Sequence, residues 1–201
     1  MTIAETLLRR IVLEQHNIEA LPEMYMHRNI EKKIASLDSN REIIVLTGIR
    51  RCGKSVLQQY AKSLLPQKDF YLNFEDERLV NFDIQDFQTL QEIFISLYGE
   101  QQHYYFDEIQ NIPGWEIFVR RLYNYGNKIY ITGSNANLFS DELGTRLTGR
   151  YIKVDIYPLS FSEFALYKDA DVIKQLDRLT TSNIGRIKQL FDEYLQVGSI
   201  P

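Results

Sequence analysis

The chain has 201 residues, of which 44% are hydrophobic and 25% are charged, a composition typical of globular proteins and unlike that of disordered ones. Its net charge of −4 gives no overall attraction to nucleic acid or to an acidic membrane surface. The single cysteine excludes an internal disulfide, and one cysteine with three histidines argues against a structural zinc site.

Residues 1–18 predict an amphipathic helix. Its apolar residues recur at helical spacing and form one stripe: Ile3, Leu7, Leu8, Ile11 and Val12. Glutamate and arginine side chains interrupt the segment, so it has neither the apolar core of a signal peptide nor the ~18 apolar residues of a membrane span. We expect the stripe to pack on the chain's own domain, and we expect a cytoplasmic protein with no membrane partner.

Short apolar runs then alternate with helical segments, a pattern typical of an α/β fold with a parallel sheet. The predicted strands are 43–46, 70–72, 104–106, 129–132 and 151–156. The predicted helices are 54–65, 84–98, a helix opened by Pro113 and Gly114, and a polar helix near Asp141. The strand segments are rich in aromatic and β-branched side chains, as expected of buried parallel strands.

After Pro158 the pattern becomes entirely helical. Ser160 and Glu163 predict a capping box at a helix start, and further helices are predicted over 169–176 and 184–197. The predicted divisions are a helical lead-in over 1–40, an α/β domain over 41–157 and the start of a helical lid over 158–201. The last helix is followed by an apolar turn, and we expect a chain that is either truncated or a naturally shortened member of a longer family.

Residues 48–55, GIRRCGKS, match the pattern G-x-x-x-x-G-K-[ST] in full and lie between a predicted strand and a predicted helix. We call this segment the phosphate loop. Its glycines let backbone N–H groups turn toward phosphate oxygens, and the following helix adds the positive end of its dipole. Lys54 is expected to reach the β- and γ-phosphates, and the Ser55 hydroxyl to ligate Mg²⁺. The residues predicted to bind the nucleotide are Gly48, Ile49, Arg50, Arg51, Cys52, Gly53, Lys54, Ser55 and Val56.

Two carboxylates, Asp107 and Glu108, follow the third predicted strand. Asp107 is expected to hold Mg²⁺, directly or through water, and Glu108 to polarise a water for in-line attack on the γ-phosphate. A hydrolase needs this second carboxylate, whereas a kinase-like transferase does not. An ordinary acidic turn is the alternative, and the phosphate loop makes the catalytic interpretation the better one.

The fourth predicted strand ends in two polar residues, Ser134 and Asn135. Either side chain could bond the γ-phosphate or the attacking water, and Ser134 is preferred because it lies nearer the strand. The alternative is a turn that caps the next helix, a position that serine and asparagine also favour.

Two arginines, Arg146 and Arg150, flank the turn before the fifth predicted strand. An arginine offered to the nucleotide of a neighbouring subunit would stabilise charge on the γ-phosphoryl group, and this role would require a homo-oligomer. Arg150 is the preferred candidate. The alternative is a surface arginine paired with Asp141 or Glu142.

Other residues near the motif are assigned no catalytic role. The side chains of Arg50 and Arg51 are expected to face solvent or a partner, and Cys52 to pack against the sheet. The acidic segment 74–78 lies at the nucleotide end of a parallel sheet, where it could contact substrate or magnesium. A solvated turn is the favoured interpretation of that segment.

With these residues placed, the chain resembles an AAA+ ATPase. More narrowly, it resembles a prokaryotic "ATP-binding protein" family that joins an AAA+ domain to a C-terminal domain of nuclease-like ancestry. The resemblance runs from about Met26 to the end of the chain. It rests on the segments MHRNIEKKI, VLTGIRRCGKSVL, YLNFEDERL, YYFDEIQNIPGWEIFVRRL, YITGSNANLF, LTGRYIKVDIYPLSFSEF and YLQVGSIP.

This resemblance implies an α/β P-loop NTPase (AAA+) three-layer fold with a central parallel five-stranded sheet and a truncated helical lid. By motif match, residues 48–55 would be the Walker A loop and Asp107 with Glu108 the Walker B pair. Ser134 would occupy the sensor position, and Arg150 the loop that carries an arginine finger. Members are typically about twice this length. A protein or nucleic-acid substrate would therefore act through a C-terminal domain that this sequence does not contain.

The function expected from these features is Mg²⁺-dependent binding and hydrolysis of ATP, coupled to movement of the lid and an attached effector. GTPases recognise guanine with an Asn-Lys-x-Asp segment that follows a strand. Here Asn127 and Lys128 precede their strand and have no aspartate two residues later, so ATP is favoured over GTP. One alternative is a switch that binds nucleotide without hydrolysing it. Another is a nucleic-acid-binding module with vestigial nucleotide affinity, which the acidic composition disfavours.

Overall fold

The computed structural model describes residues 3–18, 21–22, 25–65, 69–134, 147–174 and 180–197. Its strands are β1 Ile43–Gly48, β2 Phe70–Asn73, β3 His103–Asp107, β4 Lys128–Ser134 and β5 Tyr151–Asp155. They form one sheet in the order β2-β3-β4-β1-β5, and every neighbouring pair is parallel. The predicted α/β class with a central five-stranded parallel sheet is confirmed.

Helices precede, connect and follow these strands. In the described ranges they are α1 Glu5–Ile18, α2 Glu31–Ser36, α3 Lys54–Ser63, α4 Asp86–Tyr98, α5 Trp115–Asn124, α6 Phe161–Lys168, α7 Ala170–Lys174 and α8 Thr181–Val197. None of these helices is both long and apolar enough to cross a membrane. The polar helix predicted near Asp141 lies outside the described residues.

Four of the five strands are longer than the sequence pattern predicted. Strands β1 and β4 each continue for two residues beyond their apolar runs, to Gly48 and Ser134, and these two residues are register partners. The added residues are small or polar, so hydrophobicity alone did not assign them to a strand. The extension brings the start of the phosphate loop beside the end of β4.

The core consists of two apolar layers, one on each face of the sheet. Alternation along a strand divides its side chains between them, as Ile43 and Val45 of β1 lie in one layer while Ile44 and Leu46 lie in the other. All four are fully buried. The first layer includes side chains of α1, α4 and α5, and the second includes those of α2 and α3. The molecule is therefore a three-layer sandwich.

Helix α1 packs on the domain, as its apolar stripe predicted. Leu8, Ile11 and Val12 are fully buried and belong to the first core layer. On the neighbouring face, both terminal nitrogens of Arg9 donate to Ser96 Oγ of α4, at 2.8 and 2.9 Å. The helix is thus attached to the sheet domain by apolar and polar contacts.

The helical segment after the sheet begins with the predicted capping box. Ser160 Oγ accepts from the Glu163 backbone N–H at 3.3 Å, and Glu163 Oε2 accepts from the Ser160 N–H at 2.9 Å. The helices predicted over 169–176 and 184–197 correspond to α7 and α8, which begin and end within a few residues of those bounds.

Candidate functional site

The phosphate loop connects β1 to α3 and has the backbone geometry of an anion site. Arg51 and Gly53 have positive φ angles of 65° and 94°, whereas Cys52 between them does not, so the sign of φ alternates along the loop. Such alternation turns successive N–H groups toward one side. No side chain caps α3 at Gly53, and the first N–H groups of a helix have no partner within it. These donors can therefore bind phosphate oxygens.

Gly48 is required by a close approach of two backbones. A Cβ at this position would lie 2.2 Å from the Ile156 carbonyl oxygen and 2.7 Å from Cys52 Sγ. Cys52 is fully buried among side chains of the second core layer, the packing role expected for it. Burial raises the pKa of its thiol above the usual range, so the thiol is a poor nucleophile.

Lys54 lies at the inner end of the loop and is only 5% exposed. Its Nζ donates to the Ile49 carbonyl at 3.2 Å and lies 3.7 Å from Glu108 Oε1. The structure thus brings the predicted lysine and the second predicted carboxylate to the same place. A buried ammonium with these two neighbours can exchange them for phosphate oxygens.

Asp107 and Ser55 meet across the gap between β3 and α3. Ser55 Oγ donates to Asp107 Oδ1 at 3.1 Å, and the Thr132 hydroxyl donates to the same oxygen. Burial raises the pKa of the Asp107 carboxyl above its usual range, against the opposing effect of these hydroxyls. Hydroxyl and carboxylate oxygens are the donors that Mg²⁺ prefers, and a cation here would favour the charged carboxylate. The two residues therefore fit a magnesium ion.

Glu108 is held in an unusual backbone conformation. It has φ 50° and ψ 39°, in the left-handed region that non-glycine residues rarely adopt. Its N–H donates to Thr132 Oγ1 at 3.1 Å, and its carboxylate accepts from the Gln110 side chain as well as facing Lys54. The left-handed turn directs the backbone away from β3 while keeping the carboxylate at the site.

Thr132 is a residue of this site that the sequence analysis did not identify. It is fully buried near the end of β4, donates to Asp107 and accepts from the Glu108 N–H. One hydroxyl therefore fixes both carboxylate residues relative to β4. The only sequence signal was a threonine at the end of an apolar run, which a strand of this composition also explains without any role in the site.

Three of these residues border an open cavity of about 650 Å³, within the size range of small-molecule sites. Lys54, Ser55 and Glu108 form part of one wall. The cavity is also lined by apolar and aromatic side chains from outside the sheet, among them Pro22, Tyr25, Met26 and Tyr167. The cavity thus combines convergent charged groups with an apolar region.

Arg28 links the phosphate loop to the helical segment after the sheet, and it was not identified from the sequence. Its Nη1 donates to the Cys52 carbonyl at 3.2 Å, its Nη2 to the Tyr157 carbonyl at 2.9 Å, and its Nε to Glu163 Oε1 at 3.1 Å. Burial alone would raise the pKa of Glu163, but hydrogen bonds from Ser160, Asn29 and Arg28 lower it overall. This buried pair joins the loop to the start of α6.

The acidic segment 74–78 differs from the solvated turn that was expected. Asp76 caps a short 3-10 helix and accepts from both the backbone and the guanidinium of Arg78 and from Gln15 of α1. These hydrogen bonds, with Arg78 the strongest contributor, lower the pKa of Asp76 to about 2. Glu75 is exposed and pairs with Arg50 at 2.8 Å. A hydrogen bond from Gln15 attaches the segment to α1, and an exposed ion pair connects it to the phosphate loop.

The structure does not bring Arg150 to this site, and the side chains of the other remaining predicted residues lie outside what it describes. Ser134 lies in register with Gly48, and only its backbone is described. Asn135 and Arg146 lie outside the described residues. Arg150 lies beside Ile43, at the opposite end of β1 from the loop and about 16 Å away at ~3.3 Å per strand residue. It cannot reach the phosphate loop of its own chain.

Comparison with known proteins shows which family and which relatives this sequence resembles. The profile of a family described as an AAA domain matches residues 40–165. The uncharacterized protein MJ1544 of Methanocaldococcus jannaschii is 35% identical over 196 residues, covering 97% of this chain and 42% of its own length. An uncharacterized protein of Haemophilus influenzae is 37% identical over 186 residues, covering 89% of this chain and 44% of its own. The chain thus spans less than half the length of these relatives.

A solved structure supports the fold. The Walker-type ATPase PABY2304 of Pyrococcus abyssi superposes with a TM-score of 0.55 at 17% sequence identity. The match covers 88% of this chain and 65% of that one. At this identity the similarity concerns the fold alone, which is that of a P-loop NTPase.

Proposed function

The chain belongs to the AAA domain family, and on that premise we propose that it is a Mg²⁺-dependent ATPase whose nucleotide state moves the helical lid over 158–201. The proposal rests on one observation. The Ser55 hydroxyl donates to Asp107 at 3.1 Å, in a site where Lys54 and Glu108 lie 3.7 Å apart. The proposal takes these side chains, at the carboxyl end of the sheet, as the ligands of phosphate, magnesium and water.

Binding is assigned to the phosphate loop. Its N–H groups and those at the start of α3 would bind phosphate oxygens, and Lys54 would leave the Ile49 carbonyl for the β- and γ-phosphates. Ser55 and Asp107 would hold Mg²⁺, which neutralises phosphate charge and orients the terminal group when bound. The apolar side of the cavity would take the base.

Hydrolysis is assigned to Glu108. Its carboxylate would accept a proton from water as the water oxygen bonds to the γ-phosphorus and the bond to the ADP oxygen breaks. Thr132 would keep Glu108 aligned through the Glu108 N–H. Ser134, at the end of β4, would contact the γ-phosphate or the water.

Arg150 is proposed to act on a neighbouring subunit. Because it lies at the far end of β1 from the loop of its own chain, a finger role requires a homo-oligomer in which this edge meets another nucleotide site. ATPase activity that rises more than linearly with protein concentration would support that role.

Coupling to the lid is assigned to Arg28. Its hydrogen bonds connect the Cys52 carbonyl in the phosphate loop with Glu163 of α6. A shift of the loop on nucleotide binding would therefore be transmitted to the first lid helix.

A protein or nucleic-acid substrate would be bound by the part of the longer relatives that this chain does not span. The proposed compartment is the cytoplasm.

A nucleotide-binding switch without hydrolysis is the second candidate. The observation that favours it is the Glu108 carboxylate, which lies between Lys54 and Gln110 and is engaged by both. If bound nucleotide left these contacts in place, both oxygens of Glu108 would stay engaged and the carboxylate would be a weaker base toward water.

Glu108→Gln distinguishes the two candidates. The ATPase proposal predicts that this substitution lowers phosphate release by at least about 100-fold and preserves ATP affinity, because a neutral amide cannot take the proton. Glu92→Gln, an exposed position on α4, is the matched control and should retain full turnover. Negligible turnover in the unsubstituted protein, with ATP bound, would support the switch instead.

A further inference from the structure

The ion pair between Arg50 and Glu75 has no role in the reaction described above. Arg50 belongs to the phosphate loop, and Glu75 follows β2. Arg50 Nη2 lies 2.8 Å from Glu75 Oε1, with side chains that are 82% and 56% exposed. The sequence predicted that Arg50 would face solvent or a partner and favoured a solvated turn at Glu75. The structure pairs the two, and both line the open cavity beside Lys54, here called the phosphate cavity.

The pair lies where two cavities meet. A second cavity of about 450 Å³, lined by Asp76, Glu77 and Asp107, borders the phosphate cavity, and Ser55 and Glu75 line both. Ser55 donates to Asp107 at this border. The guanidinium of Arg50 is therefore held, through Glu75, at the border that this cavity shares with Ser55 and Asp107, the proposed magnesium ligands. The proposed function expects the γ-phosphate on this side of the cavity.

The pair is also one that a phosphate can displace. An ion pair between two largely exposed side chains is weak, because water screens it and both side chains lose freedom. The γ-phosphate of a nucleoside triphosphate offers several charged acceptor oxygens, and the planar guanidinium of arginine can bind two of them at once. A nucleoside diphosphate ends in its β-phosphate, lacks the γ-phosphate and would leave the pair intact.

We propose that Arg50 distinguishes nucleoside triphosphate from diphosphate within its own chain. It pairs with Glu75 in the nucleotide-free protein and transfers to the terminal phosphate when a triphosphate binds. This inference rests on the proposed function, because it requires that the phosphate loop bind nucleotide. It differs from the role of Arg150, which acts on a neighbouring subunit.

The test compares dissociation constants for ATP and ADP, both with Mg²⁺, in the Glu108→Gln background where ATP is not consumed during the titration. Arg50→Ala should weaken ATP binding by about 10- to 100-fold, the effect of losing a hydrogen bond to a charged group, and ADP binding by less than about threefold. Glu75→Gln should tighten ATP binding by about two- to fivefold, because the competing carboxylate charge is removed. Arg50→Lys should restore part of the preference for ATP.

Arg51→Ala is the matched comparison, since it removes the same charge from the same loop. It should change ATP and ADP affinities by the same factor. An equal loss of ATP and ADP affinity in Arg50→Ala, or a loss of discrimination in Arg51→Ala, would overturn the role of Arg50 while leaving the proposed function standing. If the unsubstituted protein binds neither nucleotide, the proposed function and this inference both fail.

Discussion

The two ends of the sheet each bury a lysine, and they use it differently. At the carboxyl end, Lys54 is 5% exposed, donates to one carbonyl and faces Glu108 in an open cavity. At the amino end, Lys128 is 8% exposed. Its Nζ donates to three backbone carbonyls at 2.7, 2.7 and 3.1 Å, those of Leu37, Asn40 and Glu42.

The difference shows when a buried charge indicates a binding site and when it indicates structure. Lys128 has a carbonyl acceptor for each of its three N–H bonds, so its environment is complete and it ties the turn after α2 to the start of β4. Lys54 has partners that a ligand can replace. Both lysines are buried, so burial does not distinguish them. What distinguishes them is whether backbone acceptors in the fold occupy all three N–H bonds of the ammonium.

The largest expected effects come from the same substitution made at both lysines. Lys128→Met should lower the free energy of unfolding by about 3 kcal/mol, because three carbonyls lose a donor. It should leave ATP affinity unchanged. Lys54→Met should weaken ATP binding by at least about 100-fold through loss of charge-assisted bonds to phosphate, with a much smaller effect on unfolding. Chemical denaturation and nucleotide titration measure the two effects.

The comparison fails if the two variants behave alike. A Lys54→Met protein as unstable as Lys128→Met would mean that the carboxyl-end lysine is also structural. Loss of ATP affinity in Lys128→Met, in a protein shown to be folded, would mean that the amino end influences the nucleotide site.

An intermediate effect is expected at Thr132, which connects both carboxylate residues to β4. Thr132→Val preserves the shape of the side chain and removes the hydroxyl that binds Asp107 and the Glu108 N–H. Without this hydroxyl Glu108 is no longer held in position to activate water, so we expect kcat to fall by about 10- to 100-fold. The dissociation constant for ATP should change by less than about threefold. Thr132→Ser retains the hydroxyl and should keep most of the rate. Equal loss of rate in both variants would contradict this role.

The smallest effects are expected from two stacked tyrosines toward the amino end of the sheet. Tyr105 and Tyr130 have ring centroids 5.0 Å apart, and Tyr130 donates to Asp38 Oδ1 at 2.9 Å. In the described part of the chain, no group forms a hydrogen bond with the Tyr105 hydroxyl. Tyr130→Phe should therefore cost about 1 kcal/mol, whereas Tyr105→Phe should be neutral or slightly stabilising.

The same pair predicts how stability changes at alkaline pH. Burial raises the pKa of both phenols above the usual value of 10. Above pH 10 the unfolded chain loses these protons before the folded protein does, so the unfolded state is favoured and stability falls as pH rises. Each Phe substitution should make the free energy of unfolding fall less steeply with pH, as measured by urea denaturation between pH 9 and 11. A slope unchanged in both variants would mean that other groups control alkaline unfolding.

The sequence predicted the fold well because strand and helix signals agreed with each other. Each apolar run became a parallel strand, and the phosphate loop lay between a strand and a helix as its pattern requires. The errors fell at strand ends. Gly48 and Ser134 extend their strands through backbone pairing, which hydrophobicity does not report.

The site was predictable only where a contiguous motif existed. Residues 48–55 and the pair of Asp107 and Glu108 are recognisable along the chain, because the members of each set are contiguous in sequence. Thr132 and Arg28 act through partners that are distant in sequence, and nothing local marks a threonine hydroxyl or an arginine as part of a site. Glu75 was correctly expected to be exposed, but its pairing with Arg50 required the fold.

The most direct test of the account is a calorimetric titration of the purified protein with ATP, carried out with and without Mg²⁺. The account predicts one saturable site whose affinity depends on magnesium and falls when Asp107 is replaced by Asn, because Asp107 and Ser55 are the proposed ligands. No saturable binding of ATP, or affinity unaffected by both magnesium and Asp107→Asn, would contradict it.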